Sequence, residues 1–293
     1  MADSTQGNSR YPTTRDGRRL HAAQLDGPPG SPIVVFEAGA GGTRSGWALV
    51  QPAVAGFATA VAYDRSGLGR SAPDTVDRTF ERMADDLNDL LDGLAAGDPD
   101  RRFVLVGHSL GGPIVRLAAA RRPERIRGLV LVDPSDEGIG AMLRPMFPYA
   151  DSVMFVVLRV LARTGVSRLL TSRLAGDVPA DVKADLAREA TTPVAIDTMQ
   201  QELTTFRSEL PAWQDSPPSL GDIPVTVISG VKTDRAPKIR AASTAAHARR
   251  AAASPHGRHV LAENSGHNVP LTDPDLVVAE ICRLVAGPGA DAR

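Results

Sequence analysis

The sequence predicts an α/β fold: a mostly parallel sheet with helices on both faces and one helical insertion. Three observations carry this. Short, uniformly apolar runs recur along the chain, as strands buried on both faces do. Segments with apolar residues every three or four positions lie between them. About ninety residues between two of the runs lack any strand signal. Alternating strands and helices imply βαβ units with right-handed crossovers.

Taken in order, the elements begin with Tyr11 to Asp26, where Asp16-Gly17 between two mixed segments signals a hairpin. The apolar runs follow: PIVVFEAG (Pro32 to Gly39), ATAVAYDR (Ala58 to Arg65), FVLVG (Phe103 to Gly107), GLVLVD (Gly128 to Asp133), PVTVISG (Pro224 to Gly230) and RHVLAE (Arg258 to Glu263). Phe80, Met83, Leu87, Leu90, Leu91 and Leu94 recur at helical spacing, with acidic residues opposite. Further helices are expected at Pro113 to Arg121, Pro237 to Ala253 and Asp275 to Val285. Between GLVLVD and PVTVISG the chain is rich in helix formers and punctuated by prolines, and a structureless loop of that length is implausible in a compact domain. The expected division is therefore a core of residues 1–137 and 221–293, with 138–220 a helical cap inserted after the sixth strand.

Composition narrows the partners. Of 293 residues, 42% are hydrophobic and 23% charged, which is ordinary for a globular protein able to bury a large core. Lys plus Arg (33) and Asp plus Glu (34) leave a net charge of -1, so no field draws nucleic acid or an anionic membrane. A small-molecule substrate is expected; oligomeric state is not readable. The single cysteine, Cys282, cannot form an intramolecular disulfide and is expected to be a buried helix residue. The polar N-terminus has no apolar signal core, and VMFVVLRVLARTGV is interrupted by Arg159 and Arg163 far short of a membrane span. A cytoplasmic setting fits.

The chemistry is carried by RFVLVGHSLGGPIVRLAAA, Arg102 to Ala120. A strand-to-helix corner lifts its central side chain above the carboxyl end of the sheet, where ligands of open α/β folds bind. The crowded corner needs neighbours without a Cβ, and Gly107 and Gly111 supply them. Ser109 so placed is an exposed nucleophile, and the Leu110 amide at the helix N-terminus faces developing negative charge. A phosphate-binding loop is the alternative for such a glycine-rich turn, but its lysine is missing. The hydroxyl needs a base. His267, in AENSGHNVPLTDPDLV, follows the last apolar run and precedes the last helix, a context no other histidine has. His108 is expected to point away as packing, and His21, His247, His256 and His259 to be surface or strand residues. A second oxyanion donor is expected from Gly39-Ala40-Gly41-Gly42, with the Ala40 amide as the candidate.

These residues resemble the α/β-hydrolase superfamily, in particular its small bacterial esterase-like members. VVFEAGAGGTRSGW, VAYDRSGLGRS, FVLVGHSLGGPIVRLAA, GLVLVDPSDE and NSGHNVPLTDPDLV look like that family's consecutive landmarks over nearly the whole chain, the cap excepted. The resemblance implies an eight-stranded sheet, a Ser-His-acid triad, and neither cofactor nor metal. Asp64 and Arg65 are expected to fix their loop rather than act chemically. Two residues compete for the acid. Asp234 follows the strand PVTVIS, where most members carry it, but stands among Lys232, Arg235 and Lys238. Asp133 ends GLVLVD, where some members place the acid, and a buried carboxylate there would need a partner such as His267. Asp133 is preferred.

The expected activity is that of a serine hydrolase cleaving an ester, lactone or thioester through an acyl-enzyme. Met142, Met146, Phe147, Tyr149, Met154, Phe155, Val156 and Leu158 suggest an apolar substrate, unless they form the cap's own core. Serine at the elbow excludes dehalogenase chemistry, which uses Asp there. A cyclase or C–C hydrolase, or a ligand receptor of low turnover, would keep the same residues.

Overall fold

The computed structural model describes residues 4–287 apart from 96, 99, 141–147, 166, 168–170, 172–175 and 234–235. Eight strands form one sheet: β1 (Asn8–Arg10), β2 (Ala22–Leu25), β3 (Ile33–Glu37), β4 (Thr59–Tyr63), β5 (Phe103–His108), β6 (Ile126–Val132), β7 (Val225–Gly230) and β8 (Gly257–Ala262). Their order across the sheet is β1-β2-β4-β3-β5-β6-β7-β8. β1 and β2 form the hairpin and are antiparallel; β4 pairs antiparallel with β2, and every pairing from β4 to β8 is parallel.

The main helices are α1 (Phe80–Ala95), α2 (Gly111–Arg121), α3 (Pro148–Thr164), α4 (Ala180–Glu189), α5 (Pro193–Glu209), α6 (Pro237–Ala252) and α7 (Pro274–Ala286). α3, α4 and α5 all lie between β6 and β7, with no strand among the described residues there. The uniform apolarity of the strands hides a strict alternation that serves two cores. Val35, Leu105, Leu131 and Val227 face α1 and α2, meeting Met83, Leu87, Leu90 and Ile114. Val34, Phe36, Val104, Val106, Val130 and Val132 face the other way, onto Trp47, Val54, Val277, Ile281 and Leu284. A one-residue slip in any strand would exchange the two sets.

Cys282 is a correction: it lies on α7 but is exposed. The buried stripe of that helix is Val277, Ile281 and Leu284, and Cys282, one residue or about 100° on from Ile281, faces outward.

The chain leaves β3 for β4 on one side and returns with β5 on the other, so the carboxyl ends of β3 and β5 form the switch point where open α/β sheets bind ligands. No helix among the described residues is long and apolar enough to cross a membrane.

Candidate active site

Ser109 stands between β5 and α2 with φ 52, a left-handed conformation costly to a non-glycine residue. The corner is as tight as the sequence suggests. A Cβ at Gly107 would lie 2.6 Å from the Gly111 oxygen, and one at Gly111 would lie 2.5 Å from the Glu37 oxygen. Two backbone hydrogen bonds pin the corner to the neighbouring strand end: Ser109 N donates to Val132 O, and Ser135 N to Ser109 O.

His267 lies in the loop after β8. Its Nε2 is 3.0 Å from Ser109 Oγ and its Nδ1 is 2.7 Å from Asp133 Oδ2. Asp133, at φ 40, is the only other non-glycine residue with positive φ among those described. Its second oxygen accepts from the Gly230 amide at 3.1 Å and from Arg240 Nη1 at 2.6 Å. Burial opposes the charge of Asp133, but the hydrogen bond from His267, with Arg240 and His247 nearby, holds its carboxyl below the usual range. Asp133 is thus an ionised acceptor on the far side of the imidazole. Asp234 lies outside the described residues.

Gly39 packs against the nucleophile, since a Cβ there would be 3.2 Å from Ser109 Cβ. The Ala40 and Leu110 amides donate no hydrogen bond to another described residue, whereas Gly41 N donates to Glu202 and Gly42 N to Gly39 O. The loop after β3 and the start of α2 thus each carry one amide without an acceptor among the described residues. Met199 of α5 covers the same loop: a Cβ on Gly41 would meet its side chain at 2.7 Å.

Other residues behave differently from their sequence reading. His108 does not point away from the site. Its ring lies 4.8 Å from that of His267, and its Nε2–H donates to His267 O at 2.9 Å, because a carbonyl can only accept. Burial, with the neighbouring His267, pushes its pKa down to about 4, so it stays neutral and supports the loop. His21 and His247 are buried, not surface residues. His21 bonds Asp64 and Ser9. His247 donates to Pro134 O and accepts from Ser229 Oγ, which also meets His259 of β8. These buried rings find partners only in the fold, which a one-dimensional reading cannot see. Asp64 does hold its loop, accepting from the Arg44 and Arg70 amides and from Arg44 Nη1.

Arg240 and Glu202 were not singled out in the sequence. Each sits on a helix, and only the fold carries it toward the site or the core. Among the described residues no group of acidic, histidine and cysteine side chains could hold a metal ion. A concavity of about 1070 Å³ opens at the amino ends of the strands between Arg102, Ile223 and Leu284, away from Ser109. It brings no reactive set together, so the geometry at the carboxyl ends defines the candidate site.

The chain matches the model of the Alpha/beta hydrolase family over residues 34–280. It belongs to that family, and it is a hydrolase. An AB hydrolase superfamily protein of Gibberella zeae (strain ATCC MYA-4620 / CBS 123657 / FGSC 9075 / NRRL 31084 / PH-1) is 27% identical to this hydrolase over 295 residues, covering 88% of this chain and 87% of that one. A protein with a provisional carbamate hydrolase name, RutD, in Klebsiella pneumoniae (strain 342) is 41% identical over 106 residues, 36% of this chain and 38% of its own length. Among solved structures, an enol-lactonase from Burkholderia xenovorans LB400 superposes with TM-score 0.67 at 21% identity, covering 94% of this chain and all of that one. The epoxide hydrolase CorEH superposes with TM-score 0.69 at 20% identity, covering 95% and 98%. At these identities the two structures share the fold.

Proposed function

We propose that this α/β hydrolase is a serine hydrolase that cleaves an ester, lactone or thioester of a fairly apolar small molecule through an acyl-enzyme. The observation that carries the reading is the unbroken chain from Ser109 Oγ to His267 Nε2 (3.0 Å) and from His267 Nδ1 to Asp133 Oδ2 (2.7 Å). Ser109 Oγ attacks the carbonyl carbon while His267 Nε2 takes its proton. Asp133 holds the Nδ1–H tautomer and stabilises the imidazolium. The Leu110 and Ala40 amides receive the oxyanion. His267 then returns the proton to the leaving oxygen or sulfur; water attacks the acyl-enzyme by the same relay, releasing the acid and restoring Ser109.

Segment 138–220 serves in this reading as a cap over the carboxyl ends of the strands. Met199 above the oxyanion loop supports an apolar acyl group. Of the apolar residues expected to line a pocket, Met142, Met146 and Phe147 lie outside the described residues, as does the side chain of Tyr149. Phe155 is buried, while Met154 and Val156 are exposed.

The test is a panel of p-nitrophenyl esters, lactones and thioesters of graded chain length, run on the wild type and on Ser109→Ala. Turnover should rise from acetyl to medium chains and fall by orders of magnitude in the variant. Equal rates in the two proteins would refute the serine mechanism; phosphonate labelling of Ser109 without turnover would favour a receptor.

A further inference from the structure

The loop that carries Ala40 is held by side chains that the catalytic scheme does not use. Arg65, two residues past β4, spends all five of its N–H groups around it. Nη1 donates to Glu37 at 2.6 Å and to Ala38 O at 2.7 Å. Nη2 donates to Gly39 O at 2.7 Å and to Glu202 Oε2 at 2.8 Å, and Nε donates to Glu202 Oε1 at 2.7 Å. Glu202 comes from α5, in the segment between β6 and β7, and is fully buried. Its Oε2 also accepts the Gly41 amide at 2.8 Å.

These contacts decide where the Ala40 amide points. Gly39 C=O and Ala40 N–H belong to one planar peptide, trans like every described peptide bond, so they point in opposite directions. Tying Gly39 O to Arg65 turns the Ala40 N–H away from the guanidinium. Tying the Gly41 N–H to Glu202 fixes the next peptide and removes Gly41 as a competing donor. Glu202 is ionised in this role: burial opposes its charge, but Arg65, with Arg78 and the Gly41 amide, holds its carboxyl below the usual range. Glu37, the second carboxylate on Arg65, is pushed up by burial and by Glu202, and it accepts the Tyr63 hydroxyl.

We propose that Glu202 is a positioning residue for the oxyanion hole, so that the segment between β6 and β7 must be seated on the core for the Ala40 amide to receive the oxyanion. The inference rests on the serine-hydrolase reading, in which that amide faces the reacting carbonyl. A bidentate clamp on Arg65 plus one amide acceptor is a task for a carboxylate. Glutamine offers one oxygen and turns an NH2 toward a donor, so the variant must release either Gly41 or one arm of Arg65.

The experiment compares wild type with Glu202→Gln and Glu202→Asp. In Glu202→Gln, kcat for p-nitrophenyl acetate should fall about 100-fold, the scale of a lost oxyanion donor, with KM within about 3-fold. Affinity for a trifluoromethyl ketone, which forms an oxyanion on Ser109, should weaken by a similar factor. Glu202→Asp keeps the charge and should lose less. Unchanged kcat and ketone affinity with a lowered Tm would reduce Glu202 to a structural pin and overturn the inference. If neither variant folds, amide exchange on the wild type decides: Gly41 should be protected throughout, and Ala40 only when the ketone is bound. Ala40 protected in the free protein, or unmoved by the ketone, would overturn it. A wild type that neither labels nor turns over overturns the serine-hydrolase reading as well; one that does both, beside an unimpaired Glu202→Gln, overturns this inference alone.

Discussion

Asp133 has a strained φ of 40 and three partners, which is more anchoring than a strand end requires. Asp133→Asn keeps the shape but loses the charge that holds the working tautomer of His267, so kcat should drop by about 10⁴, whereas Asp234→Asn should be nearly normal. Side-by-side kinetics check this, and the reverse result moves the acid to Asp234. A second prediction concerns acid. His108 titrates near 4 in the folded protein and near 6.5 when unfolded, so below 6.5 the unfolded chain binds the extra proton. Its contribution is intact above pH 6.5 and declines as the pH falls toward 4, by up to about 3 kcal/mol. Urea unfolding at pH 7 and pH 4 should therefore show a smaller acid loss in His108→Leu than in wild type; identical losses would refute it. Ser109 and His267 were legible in the sequence because their context is local, a glycine-flanked strand end and a loop before a helix. Asp133 was preferred to Asp234 as the acid, but both follow apolar strands, and a sequence does not show which carboxylate lies within reach of His267. Glu202 was invisible, because a glutamate in MQQELTTF reads as solvent-facing until the fold buries it.

At the scale of elements, the elbow joins β5 to α2, and its glycines decide how closely the two approach β3 and β6. Gly111→Ala should be the costly change, because the new methyl would lie 2.5 Å from Glu37 O and 2.9 Å from Ala38 O, backbone atoms that cannot yield. Overpacking of this kind costs about 1–3 kcal/mol, and the strain falls directly on the oxyanion loop. Both Tm and kcat should fall, as thermal melts and ester assays would register; a variant with normal values of both would mean the corner has slack. Strands β3 to β8 were readable as uniformly apolar runs and α1, α2, α6 and α7 as helical segments between or after them, whereas α3, α4 and α5 were expected only as one helical insertion without internal bounds. Cys282 was misread, since a short apolar window does not reveal which residue of a stripe faces out.

For the whole molecule, the segment between β6 and β7 is fastened to the core by apolar contact, through Phe206 and Leu210, and by charge. Arg44, just after the Gly39-Ala40-Gly41-Gly42 loop, pairs with Asp64 of the core and with Asp185 and Glu189 of α4, and Arg70 pairs with the same two acids. Arg65 and Glu202 make the second fastening, on α5. Buried pairs of this kind add little net stability, but they are costly to break singly, so they fix one arrangement of the segment against the core. The helical character of the segment was visible in its composition; its anchors were not, because partners more than a hundred residues apart leave no local pattern. The proposal for the molecule as a whole is that this seated arrangement serves one nucleophile, and intact-protein mass spectrometry with peptide mapping after fluorophosphonate treatment tests that most directly. One adduct per chain is expected, on Ser109, absent from Ser109→Ala and formed far more slowly in His267→Ala. No adduct on the wild type, or an adduct on any other residue, would contradict it.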